Sequence, residues 1–158
     1  PDVIYNRIEY LASGLECRIV FLDHLSILLS GLEGDERRML DKTMTKLRSL
    51  VERTGITLFL VSHLRRSNND RTSHEEGGKV SLSQLRGSHS IAQLSDQVIA
   101  LERDQQAETD KDITTIRIIK NRYSGETGSA GQIKYDLSTS RFTEHETTNS
   151  VFNPSTDF

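Results

Sequence analysis

Cysteine occurs once in this chain, at Cys17. That excludes a disulfide framework and a cysteine-rich zinc site, and it fits a reducing cytoplasm. No stretch approaches the roughly 20 consecutive apolar residues of a membrane-spanning helix. The opening residues carry no secretory or transit pattern, and the first residue is Pro1 rather than methionine, which predicts a fragment. A basic balance is missing as well: net charge is -3, so any contact with nucleic acid must be local. There is no internal repeat. The depletion of apolar residues that marks disorder is also missing, since 34% of the chain is hydrophobic and 27% charged. A length of 158 residues therefore suits one domain with a real core.

What is present is organised around Cys17–His24, CRIVFLDH. The apolar run Ile19–Leu22 reads as a strand buried on both faces, as in a parallel sheet, and it runs straight into Asp23 and His24. Open α/β sheets bind ligands outside the carboxyl ends of their strands. An Asp there is placed to meet nucleotide-bound Mg²⁺ in P-loop NTPases; the bland alternative is a buried strand ending in a cap. Before this strand, Asp2–Gly14 has helix-spaced apolar residues with Gly14 as a stop. After it, Leu25–Gly34 reads as a Ser/Gly-bearing loop. Asp35–Arg53 reads as a long helix, with Met39, Leu40, Thr43, Met44, Leu47, Leu50 and Val51 on one face. Its first turn is acidic, and Arg53 and Gly55 close it. A second apolar run, Ile56–Val61, ends at Ser62-His63. Strand, helix and strand make a parallel crossover unit. Both strands thus deliver polar residues, Asp23-His24 and Ser62-His63, to one edge.

Leu64–Lys79 is a polar loop with no apolar face. Arg65, Arg66, Arg71 and Lys79 can meet phosphates, and Asn68 and Asn69 can hydrogen-bond them. The competing reading is a solvated loop, its charge diluted by Asp70, Glu75 and Glu76. Ser81-x-x-Gln84 is a capping-box pattern for a short helix that stops at Arg86-Gly87-Ser88, and Ile91–Asp96 reads as another helix. Val98–Leu101 and Ile113–Arg122 read as strands, the latter with Ile116, Ile118 and Ile119 inward and Arg117, Lys120 and Arg122 outward or at its end. Ser124–Gly131 reads as a turn, and Gln132–Leu137 with Arg141–Thr143 as a closing antiparallel hairpin. Glu144–Phe158 carries Glu144, Glu146 and Asp157 but no Lys or Arg, and reads as a flexible acidic tail after a domain spanning 1–143.

These pieces together resemble the RecA-like motor domain of hexameric replicative DNA helicases of the DnaB class, and within it the primase–helicases of T-odd bacteriophages. The resemblance rests on IVFLDHLSILLSG, GDERRMLDKTMTKLRSLVERTG, LVSHLRR, HEEGGKVSLSQLRGS, QLSDQVIALERDQQ, IKNRYSGETGSAGQIKYD and the final Thr156-Asp157-Phe158. It implies an α/β fold of the P-loop NTPase type, mostly parallel with a C-terminal hairpin. It implies ATP or dTTP with Mg²⁺, single-stranded DNA, a homo-hexameric ring in a bacterial host cytoplasm, and a replicative DNA polymerase as partner. By the same resemblance Asp23 orders Mg²⁺, through water, so that its charge acts across the metal's hydration shell. His63 is the γ-phosphate sensor, and Arg122 the arginine finger that acts on a neighbouring subunit's nucleotide. Arg103 and Tyr135 hold the base. The loops around Arg65–Lys79 and Arg86-Gly87-Ser88 line the DNA channel, where His89 is a bulky departure. Phe158 ends a polymerase-docking tail.

The sequence contains no G-x-x-x-x-G-K-[ST], and the family's catalytic Glu upstream of Asp23 is missing too. The expectation is the C-terminal part of a helicase motor, inactive by itself. Two alternatives stay open: a RecA-like recombinase or regulatory ring ATPase, and a non-enzymatic remnant that binds helicase or polymerase.

Overall fold

The longest helix shows how the chain specifies its core. Asp35 accepts a hydrogen bond from the Arg37 N–H at 2.9 Å and so caps α3, Glu36–Thr54. Gly55 closes it at φ 68°, a left-handed conformation open to glycine, and donates to the Val51 carbonyl at 2.8 Å. Between these caps the helical period buries Leu40, Thr43, Met44, Leu47 and Leu50. The computed structural model describes residues 2–29, 34–64, 73–85 and 89–146. They form two compact units, one from residues 1–66 and 82–95, the other from 67–81 and 96–158.

In the first unit, α1 (Asp2–Gly14) adds Ile8 to the core. Strands β1 (Ile19–Leu22) and β2 (Thr57–Leu60) pair in parallel, with Ile19 opposite Thr57 and Phe21 opposite Phe59. Segment 25–34, read as a loop, begins instead with a helix, α2 (Leu25–Leu29), which buries Leu25 and Leu28. Leu25, Leu28 and Leu29 recur at helical spacing, but five residues are too few for the period to stand out against the neighbouring serines. Residues 82–84 form a single 3₁₀ turn, and α4 (His89–Leu94) sends Ile91 into the same core.

The expectation that β1 is buried on both faces is corrected. Val20 faces the helices, whereas Ile19 is 59% exposed and Phe21 72%. The Phe21 and Phe59 rings stack at 4.7 Å on that open face. Among the described residues the helices cover one side of the strand pair only.

The second unit is an antiparallel sheet in the order β3 (Gln97–Glu102), β4 (Ile113–Asn121), β5 (Gly128–Asp136), β6 (Arg141–His145). The antiparallel part is thus four strands rather than one hairpin. The region read as a turn ends earlier, because β5 already begins at Gly128. Strand β6 runs through His145, so Glu144 belongs to the sheet. The expected inward and outward alternation on β4 does not hold. Register shifts fall between Val98 and Ile99 and between Ile116 and Arg117, and every β4 residue is partly buried. Arg117 is consequently drawn into an ion pair instead of pointing to solvent. Burial pushes the Lys120 ammonium below the usual lysine range. At the β5–β6 turn, Asp136 accepts hydrogen bonds from Ser138 and Thr139, which pull its carboxyl down to about 2.

Candidate functional site: a nucleotide-binding edge

The parallel pairing of β1 and β2 continues past both strands. Val61 donates to the Leu22 carbonyl at 3.0 Å, and Leu25 donates to the Val61 carbonyl at 2.9 Å. This ladder sets Asp23-His24 beside Ser62-His63, as the two strand ends predict. Asp23 and His63 are exposed. The His24 and His63 rings lie 4.2 Å apart between centroids, tilted by 30°. His24 Nδ1 is buried and has no hydrogen-bond partner among the described residues. Sequence reasoning put His24 at this edge without a role; its ring contact depends on register across two strands.

One exposed carboxylate fits a metal held mainly by nucleotide phosphates and water, as Mg²⁺ usually is. Among the described residues there is no group of three His, Cys, Asp or Glu side chains that would cage an ion by themselves.

In the second unit, Arg103 follows β3 and lines an open cavity of about 450 Å³, together with Leu101, Gln105, Thr114, Ile133 and Phe142. Sheet register explains the grouping: Thr114 lies opposite Ile133, and residues two apart on a strand share a face. Tyr135 shares that face of β5 with Ile133, and its ring packs on Phe142 at 5.0 Å. The structure therefore brings Arg103 and Tyr135 to one sheet face, with Phe142 as the aromatic wall between Tyr135 and the cavity. Phe142 was not singled out from the sequence; only the Tyr135–Phe142 pairing reveals it.

Arg122 follows β4 and is tied to Asp96. Its Nη1 donates to Asp96 Oδ1 at 2.9 Å, and its backbone N–H to the Asp96 carbonyl at 2.8 Å. The Arg122 side chain remains 43% exposed.

Lys79 is exposed, and the residue after it is clamped. Glu102 accepts from the Val80 N–H at 2.6 Å, and Arg117 donates both to the Val80 carbonyl and to Glu102. The Arg117 hydrogen bond holds the Glu102 carboxyl below the usual carboxylate range, and Glu102 in turn raises the Arg117 guanidinium. Gln105 donates to the Glu75 carbonyl at 2.9 Å. Gly77, at φ 77°, passes so near Asp104 that a Cβ there would sit 3.1 Å from the Asp104 Cβ. The end of the polar loop is thus laced along the end of β3. The other expected site residues, Arg65, Arg66, Asn68, Arg71, Arg86, Gly87, Ser88 and Phe158, lie outside the described residues.

Residues 3–144 match the family model of the DnaB-like helicase C terminal domain. The chain belongs to that family. Within the DnaB-like helicases it is similar to a DNA helicase/primase of Enterobacteria phage T3, with 41% identity over 139 residues, covering 87% of this chain and 24% of the relative. Its fold is similar to that of a solved ATPase domain, with a TM-score of 0.68 at 19% identity, covering 92% of this chain and 51% of that one. The RecA-like α/β fold read from the sequence is therefore the fold observed. The chain spans about a quarter of the phage relative's length and about half of the solved domain's.

Proposed function

We propose that this chain supplies the C-terminal part of an ATP-driven replicative helicase motor that works as a ring on single-stranded DNA. The observation that carries this reading is the delivery of Asp23-His24 and Ser62-His63 to one carboxyl edge of two parallel strands, with the His24 and His63 rings 4.2 Å apart. When bound, nucleotide-held Mg²⁺ neutralises phosphate charge. Asp23 orients that ion's hydration shell through its exposed carboxylate. His63 donates a hydrogen bond to a phosphate oxygen and, lying one residue before Leu64, passes the departure of that oxygen to the polar loop. Arg103 and the Tyr135–Phe142 pair hold the base on the open sheet face, where a planar cation and an aromatic suit a stacked ring. Arg122 reaches a neighbouring subunit's nucleotide, and the loops at Arg65–Lys79 and Arg86–Ser88 follow the DNA backbone. The acidic tail docks Phe158 on the replicative polymerase. The chain alone, which contains no phosphate-cradling G-x-x-x-x-G-K-[ST], turns over no ATP.

The test is made in the full-length protein that carries this chain. Asp23→Asn should lower DNA-stimulated ATP hydrolysis by roughly tenfold to a hundredfold, the range for disturbed metal-site support. His63→Ala should keep ATP binding and lose DNA stimulation. Wild-type turnover in Asp23→Asn, together with unchanged stimulation in His63→Ala, would overturn the reading.

A further inference from the structure

His24 has no part in the chemistry proposed above, yet it lies at the same edge, against His63. Its Nδ1 is shielded from solvent and has no hydrogen-bond partner among the described residues. Buried polar atoms are seldom left so, and a hydrogen bond at that nitrogen does not fix this ring. What the ring meets is the His63 imidazole, 4.2 Å away and 30° from parallel. The backbone bonds from Val61 to Leu22 and from Leu25 to Val61 hold the two segments in register on either side of the contact. The contact therefore follows from the pairing of the strand ends. His63 is exposed, so solvent on its other side gives it no support of comparable rigidity.

We propose that His24 is a positioning residue for His63. Its ring is the platform that keeps the His63 imidazole in the one orientation from which it can hydrogen-bond a nucleotide phosphate oxygen. The inference rests on the reading of His63 as phosphate sensor. A sensor that swings freely loses its directional hydrogen bond whether or not phosphate is present, and small misplacements of such groups are costly. The working property is a flat ring face. The unpaired Nδ1 shows that hydrogen bonding at that nitrogen is not what holds it, so a phenyl ring should serve in its place and a small amide should not.

The experiment compares His24→Ala, His24→Asn, His24→Phe, His63→Ala and the double variant His24→Ala/His63→Ala in the full-length protein. Nucleotide affinity and single-strand-stimulated ATP turnover are measured for each. His24→Ala and His24→Asn should lower stimulated turnover by roughly twofold to tenfold, the worth of one ring contact, and lower it more than they lower nucleotide affinity. His24→Phe should restore it. The double variant should be no worse than His63→Ala alone. Wild-type stimulation in His24→Ala, rescue by Asn but not Phe, or a further loss in the double variant would overturn the inference while leaving the sensor reading intact. Unchanged stimulation in His63→Ala would instead overturn the sensor reading, and the platform role with it.

Discussion

Glu102 and Arg117 form a bidentate ion pair that also captures both backbone polar groups of Val80. The Glu102 side chain is only 9% exposed and that of Arg117 22%, so neither charge is well solvated if the other is removed. Arg117→Met should destabilise the protein by about 2–4 kcal/mol, because it strands both Glu102 and the Val80 carbonyl. Glu102→Gln should cost about 1–2 kcal/mol. Together the two should cost less than the sum, with a coupling of about 1–3 kcal/mol in denaturant unfolding. Additive losses would show that the pair contributes no interaction of its own.

The same pair sets an acid limit. Hydrogen bonding to Arg117 depresses the Glu102 carboxyl, so the folded chain binds fewer protons there than the unfolded chain once pH nears the ordinary glutamate value of 4.5. Its contribution is present above that value and is lost as pH falls through the lower folded one. Asp136 acts in the same direction, between the ordinary 3.8 and about 2. Stability should therefore decline as pH drops below 4.5, and the decline should be shallower in Glu102→Gln. Parallel pH curves for the two proteins would remove Glu102 from the acid response.

Arg122, proposed above to act on a neighbouring subunit's nucleotide, is bound to Asp96 at 2.9 Å. If that tether only parks the guanidinium, the two side chains should behave very differently in the full-length protein. Arg122→Ala should lower turnover by roughly 10³-fold or more, the lower range for an arginine finger. Asp96→Asn, which keeps the backbone bond and loosens the side-chain one, should stay within about tenfold of wild type. Equal losses in both variants would make the pair purely structural.

In the polar loop, Arg65→Ala with Arg71→Ala should weaken single-strand binding uniformly across sequences in the full-length protein. The slope of log affinity against log salt should fall by roughly 0.7 for each phosphate that is no longer neutralised. If affinity and slope both hold, the two arginines are a solvated face.

Helix α3 was legible because an unbroken apolar period runs between a capping Asp35 and a closing Gly55. The edge was legible because two short apolar runs each end in polar residues. Helix α2 was not, since five residues give no readable period. The alternation on β4 failed because two register shifts interrupt it. Glu102 and Arg117 are 15 residues apart, and His24 and His63 are 39 apart by their numbers. Such partners are chosen by strand register, which no local pattern displays. The cavity beside Arg103 is likewise a product of four strands meeting His74 and Glu75 of the polar loop, and the helicase family was carried by collinear motifs rather than by any of these contacts.

The chain does not finish one compact unit before it starts the next. The first unit takes residues on both sides of 73–81, and those residues belong to the second. Ile91, on the return, is buried in the first core, while Val80 is held by Glu102 and Arg117 in the second. No single cut therefore separates the units. A break in the gene anywhere between residues 82 and 95 would deliver Val80 on one polypeptide and its two captors on another. Only re-pairing of the halves would restore that clamp, and a deletion that spares either unit must tear the other.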